Sequence, residues 1–370
     1  MLFTTRTLRT AAIAGLVVLA TAAQAQGVAA FLDYMDRPHA FERGSFFQLE
    51  NLPLKLVGLG DGAVFYTATN GDLKVFRDGR VEVLDRSASI YFTATDHLLG
   101  YKLATALKVY EDREMRIVCF NTGGWAIDDS LVAWVDEAQR TINVRYAKRE
   151  YQLADALAND PILSWKTGDN IVAWVTTIEN KLMAFYRGDI YELTPQANEV
   201  PYDAALDMVV FQDSQDNAFK VFLRGEVIEL EPIMPRSWKV GKGVMAYIDQ
   251  TGSLKVLNGS KVYTAYTYEP QEYFVEDSLV VIKDRDRIKV FANGQLQELE
   301  NYWPERWDVS WGSLAYLDVN GAIKVWRDGR TQVALQRETF KDFTFDRNTL
   351  LVNMPNRKVK VWWNGEVYAH

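Results

Sequence analysis

The 370-residue chain has one cysteine, three histidines and ten prolines. With Cys119 alone no intramolecular disulfide can form, so the fold must rest on its core, and 48% hydrophobic residues are ample for one. His39, His97 and His370 are scattered, no HExxH pattern occurs, and no D-x-D-x-D-G calcium loop is present, so neither common route to a metal site is written here. A G-x-S-x-G nucleophile elbow and a P-loop are also missing. The glycine-rich run GLGDG (58–62) reads instead as a turn between strands. Cys119 has no base at a spacing that would make it a nucleophile, which leaves it a structural role. No Pro/Ser-rich linker divides the chain. Beyond residue 25 no run approaches the roughly 18 apolar residues of a membrane span.

The N-terminus is different in kind. Arg6 and Arg9 precede the apolar stretch AAIAGLVVLATAA, which ends in Ala23-Gln24-Ala25. A basic start, a short apolar run and a small-residue site form the pattern of a secretory signal peptide. The expectation is cleavage after Ala25 and a periplasmic or secreted domain over 26–370. Cleavage would leave 39 basic against 49 acidic side chains, a net charge of −10. That excess argues against general nucleic-acid binding.

What fills 26–370 is a repeat. The motifs LKVFRDG (73–79), FKVFLRG (219–225), LKVLNG (254–259), IKVFANG (288–294), IKVWRDG (323–329) and VKVWWNG (359–365) recur with fainter relatives at 38, 107, 142 and 182. Successive starts lie 34 to 40 residues apart, a period that signals a propeller, solenoid or array. Ahead of each motif stands an apolar run such as LVAWVD (131–136) or SLAYLD (313–318), and after it a strand such as EVIEL (226–230). An aromatic opens a further strand in most units: Tyr91, Trp125, Trp165, Tyr202, Trp238, Tyr273, Trp307 and Phe343. Asp78-Gly79, Asn258-Gly259, Asn293-Gly294, Asp328-Gly329 and Asn364-Gly365 are the dipeptides favoured by type I′ hairpins. DQTG (249–252) and DVNG (318–321) turn the second strand of a unit into the third.

Four strands per unit, tight turns within and longer connections between predict an all-β propeller of about ten short repeats. A single ring of nine or ten blades is expected, with two five-bladed rings as the alternative. The first unit starts its second strand near Val28, which leaves no room after the signal segment for its first strand, so one blade is expected to be short of a strand or to borrow it from elsewhere. Units such as 313–329 resemble the WD40 repeat in layout, and their shortness resembles tectonin-type propellers. The Gly-His dipeptide of WD40 repeats is absent. The consensus also looks like that of secreted bacterial repeat proteins, a resemblance that implies a fold and no particular activity.

Residues that follow the repeat are read as packing. The lysines at 74, 108, 220, 255, 289, 324 and 360 hold one motif position, where a stem can cover apolar surface while the amine reaches water. Asp128, Asp129, Asp284 and Asp286 read as turn residues. Trp303, Trp311 and Trp363 fall outside the repeat. Trp303 stands beside Tyr302 in a between-blade loop, close to Arg306 and Asp308, and the preceding loops add Arg236, Lys239, Tyr268 and Glu272. Aromatic planes beside charged groups suit protein hot spots or sugars. These eight residues are the candidate binding face for a protein or cell-envelope component. A glycan is the alternative ligand, and a carbohydrate-active hydrolase or lyase with carboxylates near the channel the alternative activity. No cofactor, catalytic residue or metal ligand is assigned.

Overall fold

The computed structural model describes residues 27–86, 91–155, 164–176, 179–195 and 200–370. The signal-peptide reading of 1–25 lies outside the described residues. Ten antiparallel sheets follow one another, and every strand pairs with its neighbour in sequence. They form ten blades, at 28–48, 56–85, 92–119, 122–155, 165–194, 202–231, 237–266, 272–300, 307–335 and 342–369. Blades 2 to 10 have four strands, running from the axis outward. Blade 1 has three among the described residues: β1 (Val28–Leu32), β2 (Pro38–Glu42) and β3 (Ser45–Gln48).

The core is distributed over the seams between blades. Each of ten apolar clusters draws on two successive blades, and one of them, Ala29, Phe31 and Phe41 with Leu351, Val359 and Val361, joins blade 1 to blade 10 and closes a single ring. Alternation in the second and third strands supplies these clusters, because successive residues of a strand face the seams on its two sides. Val209 and Phe211 pack toward blade 5, whereas Met208 and Val210 pack toward blade 7. Both faces of a middle strand are therefore covered, which is why those strands read as continuous apolar runs.

The turns follow the dipeptides with one exception. Asp78-Gly79, Asn293-Gly294, Asp328-Gly329 and Asn364-Gly365 all have positive φ at both residues, as type I′ requires. Asn258 does not. It pairs with Lys261, so the central residues are Gly259, at φ 61, and Ser260, the arrangement of a type II′ turn. The motif there is one residue shorter, and the glycine slides into the first central position. Tyr91 is a second correction: it is 88% exposed, and Phe92 instead pairs with Tyr101 in the inner strand.

The recurrent lysines do more than cover apolar surface. In blades 2 to 9 the third and fourth strands slip register at one place, as between Leu254 and Lys255. Such a bulge bends the strand and re-aims its end. In blades 2, 6 and 8 it delivers the last acid of the fourth strand into the next seam. There the Glu231 carboxylate accepts from the Lys255 amine at 2.5 Å and from the Tyr247 hydroxyl at 2.9 Å. Glu300 does the same for Lys324 and Tyr316, and Asp85 for Lys108 and Tyr101. Glu50, just after β3, serves Lys74 and Tyr66. Each of these four bolts holds a buried tyrosine hydroxyl and a partly buried ion pair across a seam, where an unpaired group would be costly.

Candidate functional site

The eight residues singled out from sequence lie along blades 7 to 9. Arg236, Tyr268, Tyr302, Trp303 and Arg306 occupy between-blade loops, and Lys239, Glu272 and Asp308 belong to innermost strands. These loops share a face with the turns joining second and third strands: Arg236 donates to the Gln250 carbonyl in such a turn at 2.8 Å. Most of the eight are engaged within the ring. Trp303 stacks on Phe274 and meets Trp307 edge-on, with the Lys283 amine 5.4 Å from its ring centre. Arg306 donates to the Lys341 carbonyl, Lys239 to the Tyr273 carbonyl, and Asp308 accepts the Phe345 amide. Arg236 pairs with Glu269, and the exposed Tyr268 hydroxyl reaches Asp284 at 3.3 Å. Glu272 is exposed. None of the eight lines the cavity described next.

On the opposite face, the turns joining first and second strands converge at the axis, and there the ring touches itself across its own diameter. The Lys242 amine of blade 7 meets Asp129 of blade 4 at 2.7 Å. Asp96 of blade 3 accepts from the Trp311 indole of blade 9 at 3.1 Å and from the Arg347 guanidinium of blade 10 at 2.7 Å. Arg347 also donates to the Leu59 carbonyl of blade 2 at 2.9 Å and pairs with Asp346. Around the rim, turns hand hydrogen bonds from blade to blade: the Asp96 amide donates to the Asp129 carboxylate, and the Asp129 amide to that of Asp169. Gly168 permits this closeness, since a Cβ there would lie 2.4 Å from the Ala205 carbonyl oxygen.

Between these turns lies a cavity of about 360 Å³. Ala204, Leu206, Val240, Val275 and Val309 give it apolar walls, and Asp96, Asp128, Asp169, Asp277 and Asp346 face Lys242, Arg347 and Trp311 across it. Lys242 and Arg347 are spent on Asp129, Asp96 and Asp346. Asp128, Asp169 and Asp277 form no ion pair among the described residues. Burial, reinforced by the charges of Asp129 and Asp128, pushes the Asp169 carboxyl up to about 6. Burial also raises Asp128, against a hydrogen bond from Thr167, and Asp277, against the Gly312 amide. Asp129 is the contrast: burial would raise it, but the Lys242 ammonium and the Asp96 amide together hold it low. The size falls within the range of small-ligand sites, and the uncompensated charge favours a cation.

Only part of this site shows in the sequence. Trp311 stands out as an off-repeat tryptophan, and aspartate recurs in the first turn of blade after blade, at 61, 96, 129, 169, 207 and 277. Lys242 and Arg347 interrupt that series.

A family model described as a 10-bladed beta propeller domain matches residues 22–368. Comparison with curated proteins found no match. Among solved structures, the computationally designed Ika8 protein is 18% identical, with a TM-score of 0.33 over 74% of this chain and 95% of that one. The CRINKLY WD40 ectodomain of the Arabidopsis thaliana receptor kinase ACR4 is 8% identical, with a TM-score of 0.34 over 62% and 90%. PorZ of Porphyromonas gingivalis, a surface component of the type-IX secretion system, is 11% identical, with a TM-score of 0.29 over 85% of this chain and 51% of that one. At these scores nothing about activity carries over.

Proposed function

The chain belongs to the 10-bladed β-propeller domain family, and on that premise we propose that it is a noncatalytic periplasmic or secreted binding protein whose axial cavity holds a cationic group of a partner protein. The observation that supports this reading is the surplus of carboxylates: Asp128, Asp169 and Asp277 line the cavity with no ion pair among the described residues, while Lys242 and Arg347 are already paired. A lysine or arginine side chain, or a chain-terminal amine, would relieve their mutual repulsion, and the apolar walls would cover its stem.

The test is calorimetric titration with a short Lys/Arg-rich peptide at low salt, beside acidic and uncharged peptides of equal length. Selective binding of the basic peptide, weakened by salt and by Asp169→Asn with Asp277→Asn, is expected. Equal binding of all three peptides would refute the reading. Trp303→Ala with Arg306→Ala serves as the control on the loop face: lost binding there, with the aspartate variant unaffected, would move the site to that face. Retention on a polysaccharide panel would favour the glycan reading, and turnover lost with one carboxylate would favour the enzyme reading. For the location, expression from Met1 followed by osmotic shock and mass analysis is expected to give a shock-released chain beginning at Gln26.

A further inference from the structure

Blade 1 is a blade without an innermost strand among the described residues. Its β1 is a second strand by pairing: Ala29 faces Phe41 as Val64 faces Phe76 in blade 2, and Phe31 faces His39 as Tyr66 faces Lys74. It is also a second strand by position. It packs on β4 (Leu56–Gly60) and β5 (Ala63–Thr67) of blade 2, as Ile171–Val175 of blade 5 packs on Tyr202–Ala205 and Met208–Gln212 of blade 6. Among the described residues no strand pairs with the axial edge of β1, where every other blade has one, and an edge of unpaired backbone groups is a template for another strand. At one end the gap is bridged, because Arg347 of blade 10 reaches over blade 1 to the Leu59 carbonyl of blade 2.

We propose that this position accepts an extended segment of a partner protein, added antiparallel to β1, with an aromatic residue opposite Phe31 and a small or apolar residue opposite Ala29. The other blades set this chemistry. Trp165 lies opposite Trp174, Trp238 opposite Tyr247 and Trp307 opposite Tyr316, and two residues on stand Thr167, Val240 and Val309. The chain's own upstream residues do not meet that pattern: 20–26 read ATAAQAQ, with no aromatic. Strand addition gives main-chain hydrogen bonds, and alternate side chains give selectivity. The incoming aromatic would join the seam where Phe31, Phe41 and Leu351 already pack.

The protein is expressed from Met1, its N-terminus is read by mass, and amide exchange of Val28–Leu32 is followed by fragmentation with and without a synthetic peptide of residues 235–241, PRSWKVG, which is the protein's own blade 7 sequence. Exchange across β1 is expected to slow at least tenfold at saturating peptide. The Trp238→Ala peptide should protect far less, and the Lys239→Pro peptide, short of a backbone donor mid-strand, not at all. Protection of β1 that is already complete without peptide assigns the position to the chain's own N-terminal segment and overturns the proposal. Equal protection by the Trp238→Ala peptide, or none by any peptide, overturns it too.

Discussion

Replacing Asp169 with asparagine should make the protein more stable at neutral pH. Asp169 is 8% exposed, and its carboxyl is raised from 3.8 to about 6 by burial and by Asp129 and Asp128. A carboxyl raised on folding binds more protons in the folded than in the unfolded state between those two values. Stability from this group is therefore highest below the lower value and is lost as pH climbs through 6. About two pKa steps correspond to a ceiling of roughly 3 kcal/mol, and screening at a cavity open to solvent reduces this to about 1–2 kcal/mol. Asparagine keeps an oxygen to accept the Asp129 amide, which Asp169 now does at 2.7 Å. It also removes a favourable neighbour of Lys242, a small opposing effect. For the roughly 330 described residues the unfolding entropy is about 0.7 kcal/mol per kelvin, so Tm should rise by about 1–3 °C. Calorimetry at pH 7.5 and pH 4.5 reads the effect: the full gain is expected at 7.5, and only about a third of it at 4.5, where the unfolded carboxyl is already largely ionised. An unchanged or lower Tm at pH 7.5 would refute the claim that Asp169 carries uncompensated charge.

Lys242→Met should cost about 1–3 kcal/mol at pH 7.5, since Asp129 loses its cation across the axis while Asp96 keeps Arg347. Because the Asp129 carboxyl is then no longer held low by the ammonium, the deficit should shrink as pH falls toward 4, and chemical denaturation at the two pH values measures it. Tyr247→Phe should cost about 1 kcal/mol by leaving one lone pair of Glu231 unused, whereas Lys255→Met should cost more by leaving that carboxylate without its cation. Equal small losses would show that the bolt contributes nothing as a unit. Gly168→Ala should cost 2 kcal/mol or more, because the added Cβ meets backbone rather than a side chain that could rotate away. A near-native Tm would mean that the blade 5 to blade 6 approach is looser than 2.4 Å.

Sequence by itself determined the blade. Strand, turn and period are local properties: alternation over five residues, a dipeptide with positive φ and a spacing near 35 can all be read along the chain. The seam bolts are half legible, since Glu231, Tyr247 and Lys255 recur at the spacing of Glu300, Tyr316 and Lys324, but only the bulge shows that the acid of one blade serves the lysine of the next. The number of blades and the closing of the ring were decided by tertiary structure, because closure depends on how each seam sets the angle to its neighbour. The axial site was decided there as well. Asp96 meets Trp311 and Arg347 across 215 and 251 residues, and Lys242 meets Asp129 across 113. Each of these residues sits in an ordinary turn when read along the chain, and only a closed ring brings the turns to one point on the axis.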